Sequence, residues 1–357
     1  MRLKDKHAAW LRESAFHVNQ VFNYANELSY KVWQRERRFI GSDEIDRYTA
    51  GATREGLPLH SQTVQAVTQE LVARRKQHRK VKLRWRVSNG PRRSLGWIPF
   101  KASAIRYRNG QVFFSGKPLS LWDSYGLADY ELGTGNLSED ARGRWYLNVT
   151  IKVKKRPKPP TGLVGRSVGI DLGLKDFAAT SDAEVFSLDK PYRKYEEALA
   201  VAQRAGKKER VRAIHSIIRN SRKDQLHKLS TAFVEEYDVI FIGNVNASAL
   251  AKTRMAKSVL DAGWGMFRTM AQYKCDDAGV WFDEVDEAFS TQTCSCCKRR
   301  TGPKGLEGLG IREWACLECG AYHHRDINSS ENILAAGRRR LAEGIPVLPA
   351  PCAATVG

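Results

Sequence analysis

Two pairs of cysteines have the type and spacing that suit a bound metal ion. They are Cys294 with Cys297 and Cys316 with Cys319, and 18 residues separate the pairs. Tetrahedral zinc takes four thiolates presented by two tight turns, and this spacing is typical of a zinc ribbon. Cys296 lies inside the first pair and is predicted to be a spare, because Cys294 and Cys297 keep the spacing. The alternative is that all of these are ordinary buried thiols. Because five of the seven cysteines fall within 26 residues, we predict a structural zinc site rather than isolated thiols.

Two acidic residues occupy positions that could do chemistry. Asp171 lies within an apolar segment that predicts a buried strand, where a charge is costly unless it meets a metal or another partner. Asp326 follows the second cysteine pair at the start of a predicted helix, where it could instead cap backbone amides. Either acid alone is weak evidence for catalysis, so a catalytic site requires companions.

The charge of the chain predicts a polyanionic partner. The formal net charge is +20 and the sequence pI is near 9.7, and neutralising phosphates releases counterions. Residues 71–122 carry 14 Lys and Arg and no Asp or Glu, although a run of charge can also be a solvated surface. The candidate nucleic-acid contacts in this run are Arg74, Arg75, Lys76, Arg79, Lys80, Lys82, Arg84, Arg86, Arg92 and Arg93.

The sequence also argues against a membrane protein and against a secreted, disulfide-bonded protein. No apolar run approaches the roughly 18 residues of a membrane span. No N-terminal signal peptide is apparent, so the cysteine pairs favour metal over disulfides and predict a reducing, cytoplasmic location.

The elements that must position these residues change along the chain. Leu11, Ala15, Val18, Phe22 and Ala25 have helical spacing, and Ser61 is a candidate cap for a second helix. Residues 81–153 predict short strands, including a tight hairpin at Asn109-Gly110, and so a small β-barrel or sandwich. A basic, proline-rich stretch then predicts a linker.

The second half of the chain alternates strands and helices. A strand containing Asp171 is followed by two more strand patterns, and a long helical stretch runs over residues 192–236. Short apolar strands at residues 239–242 and 279–282 come next. Three hairpin strands, a helix and further strands alternating with helices predict an α/β core of the RNase H-like type.

Four motifs in this half resemble the TnpB family, the transposon-encoded RNA-guided nucleases related to type V CRISPR effectors. They are GIDLG at 169–173, the segment 255–274, STQTCS at 290–295 and HRDIN at 324–328. The resemblance is specific over residues 165–340 and looser before them. It implies a RuvC nuclease domain interrupted by a zinc ribbon, preceded by a wedge-like β-barrel with an inserted helical recognition domain.

That architecture divides the chain into seven predicted segments. They are a helical recognition domain at 1–78, a wedge-like β-barrel at 79–156, a linker at 157–164, the first RuvC part at 165–290, a target-binding zinc ribbon at 291–322, the second RuvC part at 323–342 and a disordered tail at 343–357. The resemblance implies three RuvC carboxylates that hold two magnesium ions. Asp171 matches the first acid and Asp326 the third.

The second acid departs from the family pattern. Relatives carry a glutamate after the strand at 239–242, where this chain has Gly243. Either the site is inactive, or Glu287 replaces the missing acid, as the relocated glutamate of some TnpB proteins and Fanzors implies. Glu284 and Asp286 are rivals for that role, and a solvated acidic strand end is the remaining alternative.

The leading functional prediction is an RNA-guided DNA endonuclease, cytoplasmic and associated with the nucleoid. It would bind a transposon-derived guide RNA, recognise a short motif beside its double-stranded DNA target and cleave with magnesium. The alternatives are a nuclease-dead RNA-guided repressor, motivated by Gly243, and a guide-free zinc-ribbon DNA-binding accessory protein of a transposon.

Overall fold

The computed structural model describes residues 1–123, 126–152, 165–245, 261–304 and 307–343. The predicted linker at 157–164, residues 255–260 of the second motif and the tail from residue 344 lie outside the described residues. The chain divides into two compact units, Met1–Val153 and Lys154–Gly357. In the described part of the chain, no helix is long and apolar enough to cross a membrane.

The helices of the first unit confirm most of the helical predictions. They are α1 (Ala8–Glu36), α2 (Ser42–Thr49) and α3 (Ser61–His78). The five apolar residues predicted to share one face of α1 are all buried. The predicted cap at Ser61 is wrong by one residue, because the ring Nδ1 of His60 accepts from the backbone N–H of Gln62 at 3.2 Å.

The strands of the first unit form two antiparallel sheets of three strands, β1-β5-β6 and β2-β3-β4. Their bounds are β1 Trp97–Phe100, β2 Ile105–Arg108, β3 Gln111–Phe114, β4 Lys117–Leu119, β5 Glu131–Glu139 and β6 Trp145–Lys152. The β2–β3 turn has φ of 49° at Asn109 and 74° at Gly110, which confirms the predicted tight hairpin. Leu71 of α3 and Phe100 of β1 belong to one buried cluster, so helices and strands on either side of residue 78 share a core.

The second unit contains a five-stranded sheet in the order β11-β10-β7-β8-β9. Strands β7, β10 and β11 are parallel, whereas β8 and β9 continue β7 as an antiparallel meander. A separate hairpin pairs β12 with β13. The bounds are β7 Ser167–Leu172, β8 Ala178–Thr180, β9 Val185–Phe186, α4 Pro191–Arg204, α5 Lys208–Glu236, β10 Val239–Gly243, α6 Trp264–Ala278, β11 Trp281–Val285, β12 Glu313–Ala315, β13 Tyr322–His324 and α7 Arg325–Ala342.

Both faces of this sheet are covered, which explains why β10 is apolar throughout. Ile240 packs in the same cluster as Phe233 of α5 and Phe267 of α6. Phe241 points to the other face and packs with Ile333 of α7. A strand buried on both faces has no solvent side to alternate with, so its sequence is a continuous hydrophobic run.

Helix α7 lies so close to the sheet that its glycine is predicted to be essential for packing. A Cβ at Gly337 would collide with the Phe241 ring. Intrinsic helix propensity favours Ala over Gly by about 1 kcal/mol, whereas overpacking a core costs roughly 1–3 kcal/mol. We therefore expect Gly337→Ala to lower the melting temperature, measured by thermal denaturation.

The matched control is Gly265→Ala in α6. Gly265 is exposed and a Cβ there meets nothing within 4 Å. This change should leave the melting temperature unchanged or raise it. Equal effects of the two substitutions would contradict the packing argument.

Candidate functional site

The acids of interest meet at one end of the five-stranded sheet. Asp171 is near the carboxyl end of β7, Glu287 follows the carboxyl end of β11, and Asp326 is in the first turn of α7. The carboxyl ends of parallel strands meet at one edge of a sheet, where open α/β folds bind their ligands. The partial positive charge of a helix N-terminus also favours a carboxylate at Asp326.

The electrostatics of Asp171 show that the three carboxyls interact. Burial raises the pKa of Asp171 to about 7, and the charges of Glu287 and Asp326 add to the effect. A hydrogen bond from the Ser329 hydroxyl opposes this shift in pKa. Because that hydroxyl donates to Asp171, it must accept from the Ser290 hydroxyl, 2.8 Å away. The first acid is thus oriented by Ser329 and, through it, by Ser290, the first residue of the STQTCS motif.

The structure distinguishes Glu287 from its rivals. Glu284 pairs with Arg268 at 3.0 Å, and Asp286 is exposed. Burial raises the pKa of Glu287, and its Oε2 atom is buried with no hydrogen-bond partner among the described residues. A buried carboxylate oxygen without a donor is costly, so a cation beside it would be stabilising.

An arginine that the sequence analysis missed contacts the third acid. Arg312, just before β12, donates from Nη1 to both carboxylate oxygens of Asp326, at 2.9 and 2.7 Å. Among the described residues, the four cysteines have all their ligand atoms within 4.8 Å of one another. The carboxylate oxygens of the three acids do not all lie within that distance of one another. The ion pair holds the Asp326 carboxylate beside Arg312. Arg312 lies between the cysteine pairs without a recognisable pattern, so sequence offered no signal for it.

Hydrogen bonds made by side chains of α7 connect two of the family-like motifs. The Asn328 side chain donates to the carbonyls of Ser290 and Thr293 and accepts from the Ser295 N–H. Asn332, one turn later, donates to the same two carbonyls. The segment that leads into the first cysteine pair is therefore fixed to the helix that carries Asp326.

The four predicted zinc ligands are together. Their sulfur atoms all lie within 4.8 Å of one another, with 3.7 Å between Cys294 and Cys319 and 3.6 Å between Cys297 and Cys316. A tetrahedron with Zn–S bonds of about 2.3 Å has S–S edges of about 3.8 Å, so the donor set fits zinc. Cys296 is exposed and is not in this group, which agrees with its prediction as a spare.

The surroundings of Cys316 favour the thiolate form, which is the form that binds a metal ion. The Thr301 hydroxyl lies 3.1 Å from the Cys316 sulfur and is the largest cause that lowers the pKa of Cys316 to about 6. Metal ligands must be deprotonated to bind, so a thiolate present at neutral pH favours capture of the ion.

The ten predicted nucleic-acid contacts fall into three groups in the first unit. The exposed members without an ion pair in the described part of the chain are Lys76, Arg79, Lys80, Arg84 and Arg92, whereas Arg74 and Arg93 are exposed but ion-paired. Members with a carboxylate or amide partner are Arg74 with Glu70, Lys82 with Glu27, Arg86 with Asn19, and Arg93 with Glu139.

The structure corrects the prediction for Arg75. This residue is 3% exposed and donates to the carbonyl of Ile40. Burial lowers the pKa of its guanidinium. Arg75 therefore joins α3 to the segment before α2 and does not face a phosphate backbone.

The raised pKa of Asp171 gives a testable dependence of stability on pH. An unfolded Asp has a pKa of about 3.9, and the folded group has a pKa of about 7. The neutral carboxyl stabilises the fold below the unfolded pKa, and this contribution is lost as pH rises to the folded pKa. In magnesium-free buffer, the melting temperature of Asp171→Asn minus that of the parent should therefore increase from pH 5 to 7 and then level off.

The control for this experiment is Asp277→Asn, which changes an exposed carboxyl on α6. The melting temperature of Asp277→Asn minus that of the parent should stay constant over the same pH range. A constant difference in melting temperature between Asp171→Asn and the parent from pH 5 to 8 would contradict the raised pKa of Asp171.

Comparison with known proteins supplies the family. A family model described as "Cas12f1-like, TNB domain" matches residues 264–333, and one described as "Probable transposase" matches residues 150–254. A relative from Streptomyces pristinaespiralis is 31% identical over 374 residues, 97% of this chain and 90% of the relative. One from Escherichia coli K12 is 29% identical over 230 residues, 57% of this chain and 56% of the relative. Both carry the name "Putative RNA-guided DNA endonuclease", the second with the designation InsQ.

A solved structure shares the fold. The cryo-EM structure of a Cas12f1–sgRNA–target DNA complex matches with a TM-score of 0.58 and 13% identity, over 92% of this chain and 83% of that one. The mixed α/β fold and the named relatives define the class of protein as the RNA-guided nucleases. Within that class, the chain belongs to the TnpB family.

Proposed function

We propose that this protein cleaves double-stranded DNA chosen by a transposon-derived guide RNA and a short flanking DNA motif, using a RuvC site with two magnesium ions. In this proposal, residues 165–290 and 323–342 form the RNase H-like RuvC domain and residues 291–322 the inserted zinc ribbon. The observation that carries it is the interaction of Asp171, Glu287 and Asp326 at the carboxyl edge of the sheet.

The residues present fit magnesium. Carboxylate oxygens are the ligands that Mg²⁺ prefers, and a cation would relieve both the raised pKa of Asp171 and the unpartnered Oε2 of Glu287. When bound, the ions would activate a water molecule and stabilise the leaving oxygen of the phosphodiester.

The protein's own groups prepare the site for a phosphodiester. Ser329 fixes the Asp171 carboxylate, and Asn328 fixes the start of the helix that carries Asp326. Arg312 supplies positive charge at Asp326, and a guanidinium suits the planar recognition of phosphate oxygens. The Arg312–Asp326 pair would have to open as Asp326 turns to the metal.

We assign zinc a structural role at the four cysteines. The zinc ribbon lies between Glu287 and Asp326 in the sequence, and the hydrogen bonds from Asn328 and Asn332 connect the segment before its first cysteine to α7. The exposed residues Lys76, Arg79, Lys80, Arg84 and Arg92 are proposed to contact phosphates of the RNA or the DNA.

The test is reconstitution with native RNA. The protein is purified with RNA co-expressed from its own locus and incubated with Mg²⁺ and a matched DNA target beside a mismatched one. Cleavage of the matched target alone is expected. Binding without cleavage would favour the nuclease-dead repressor that Gly243 suggests. Absence of copurifying RNA at moderate salt would favour the guide-free accessory protein.

A further inference from the structure

Gly243, at the carboxyl end of β10, faces the side chain of Glu287. A Cβ built on Gly243 would lie 2.5 Å from Oε2 of Glu287, 3.3 Å from its Cβ and 3.1 Å from Cδ1 of Ile333. The φ of Gly243 lies outside the left-handed region that favours glycine. Space, and not backbone conformation, is therefore the reason that glycine suits this position.

The surroundings leave the Glu287 carboxylate few other constraints. The backbone N–H of Glu287 donates to Oδ1 of Asn244 at 3.4 Å, so the main chain is held next to β10. The buried Oε2 atom has no hydrogen-bond partner within the described part of the chain. Ile333 is 1% exposed and closes another side of the same space. The position of the carboxylate is thus determined mainly by the room that Gly243 leaves.

We propose that Gly243 is a positioning residue for Glu287: the absence of a side chain at position 243 sets where the Glu287 carboxylate lies. The inference rests on the proposed function, in which Glu287 is a ligand of the catalytic metal. A side chain at position 243 would enter the volume that the Glu287 carboxylate occupies. Glycine is therefore required at position 243 for the carboxylate to keep this place.

Gly243→Ala is the sharpest single test of this proposal. The atom it displaces most is the flexible end of Glu287, so the carboxylate should move by about 1 Å while the sheet remains intact. Misplacement of a catalytic group by about 1 Å can reduce the rate by about 10²-fold. We expect a loss of this size in target cleavage, weaker Mn²⁺ binding in the RNA complex, measured by electron paramagnetic resonance, and unchanged target binding.

The control is Gly265→Ala, where a new Cβ meets nothing within 4 Å, and it should behave as the parent does. The RNA background of Mn²⁺ binding is equal in all variants, so differences report the protein site. Unchanged cleavage and Mn²⁺ binding in Gly243→Ala would overturn the proposal.

A double-variant cycle separates positioning from general damage to the fold. In a Glu287→Ala background, Gly243→Ala should have no further effect on Mn²⁺ binding and a smaller effect on melting temperature than in the parent. The reason is that Oε2 of Glu287, the atom nearest the new Cβ, is gone, whereas Cδ1 of Ile333 and the Cβ of residue 287 remain. An equal loss of melting temperature in both backgrounds would overturn the proposal, since the strain would then lie against Ile333 or the sheet.

If Glu287→Ala itself keeps full cleavage and Mn²⁺ binding, the assignment of Glu287 in the proposed function fails first, independently of the result at Gly243.

Discussion

Glu287→Gln is expected to reduce cleavage of a matched target by about 10³-fold or more, while binding of RNA and DNA is retained. A metal ion supplies several kcal/mol of transition-state stabilisation, and each 1.36 kcal/mol corresponds to tenfold in rate. The amide keeps the shape of the side chain but removes the charge that interacts with Asp171. The measurement is single-turnover cleavage by the purified RNA complex, with target binding determined separately by gel shift.

Two neighbouring acids serve as controls for this change. Glu284→Gln removes the partner of Arg268, and Asp286→Asn changes an exposed carboxyl. Neither substitution should lower the cleavage rate by more than a few-fold. Full cleavage by Glu287→Gln with a large loss in Glu284→Gln would move the second acid to Glu284 and remove the structural argument for Glu287.

Cys319→Ser is expected to abolish zinc binding and, through it, cleavage. Structural zinc contributes roughly 10–16 kcal/mol of binding free energy in zinc-finger peptides at neutral pH, so loss of one ligand should unfold the ribbon. The ribbon begins at the segment that Asn328 and Asn332 bind, and Arg312 lies within it beside Asp326. We expect zinc content to fall toward zero by elemental analysis, and cleavage to fall by about 10²-fold or more because the acids lose their relative placement.

Cys296→Ser is the matched control, because Cys296 and Cys319 are both exposed cysteines of the same segment. Neither substitution creates a buried cavity, so a difference between them reports the metal and not core packing. Cys296→Ser should keep both zinc and cleavage. A zinc-free Cys319→Ser protein that still cuts at the parental rate would show that the ribbon does not support the nuclease site.

The sequence predicted those features that local patterns encode. The spacing of the cysteine pairs identified the four sulfurs that the structure brings within 4.8 Å. The helical spacing that begins at Leu11 identified the buried face of α1. The continuous apolar run before Gly243 identified a strand, since a strand covered on both faces must be apolar throughout. Each of these depends on residues that are close in the chain.

Sequence alone left open which acid accompanies Asp171, and it misjudged Arg75. Glu284, Asp286 and Glu287 are nearly adjacent in the chain, and only the twist and end of β11 decide which carboxyl turns toward β7. Arg75 carries the same charge as its exposed neighbours, but the helix places it toward Ile40 and inside the core. Charge composition describes a whole segment, whereas burial is decided residue by residue through packing.

Sequence by itself therefore identified the four clustered cysteines, the principal elements and two candidate acids, because short-range spacing and hydrophobic periodicity are properties of the chain. Tertiary structure decided how those parts meet. It placed Glu287 in the space beside Gly243, paired Arg312 with Asp326, and joined Asn328 to the start of the ribbon. These contacts form between residues 14 to 44 positions apart in the sequence. They depend on the close packing of β10, β11 and α7, which local patterns do not specify.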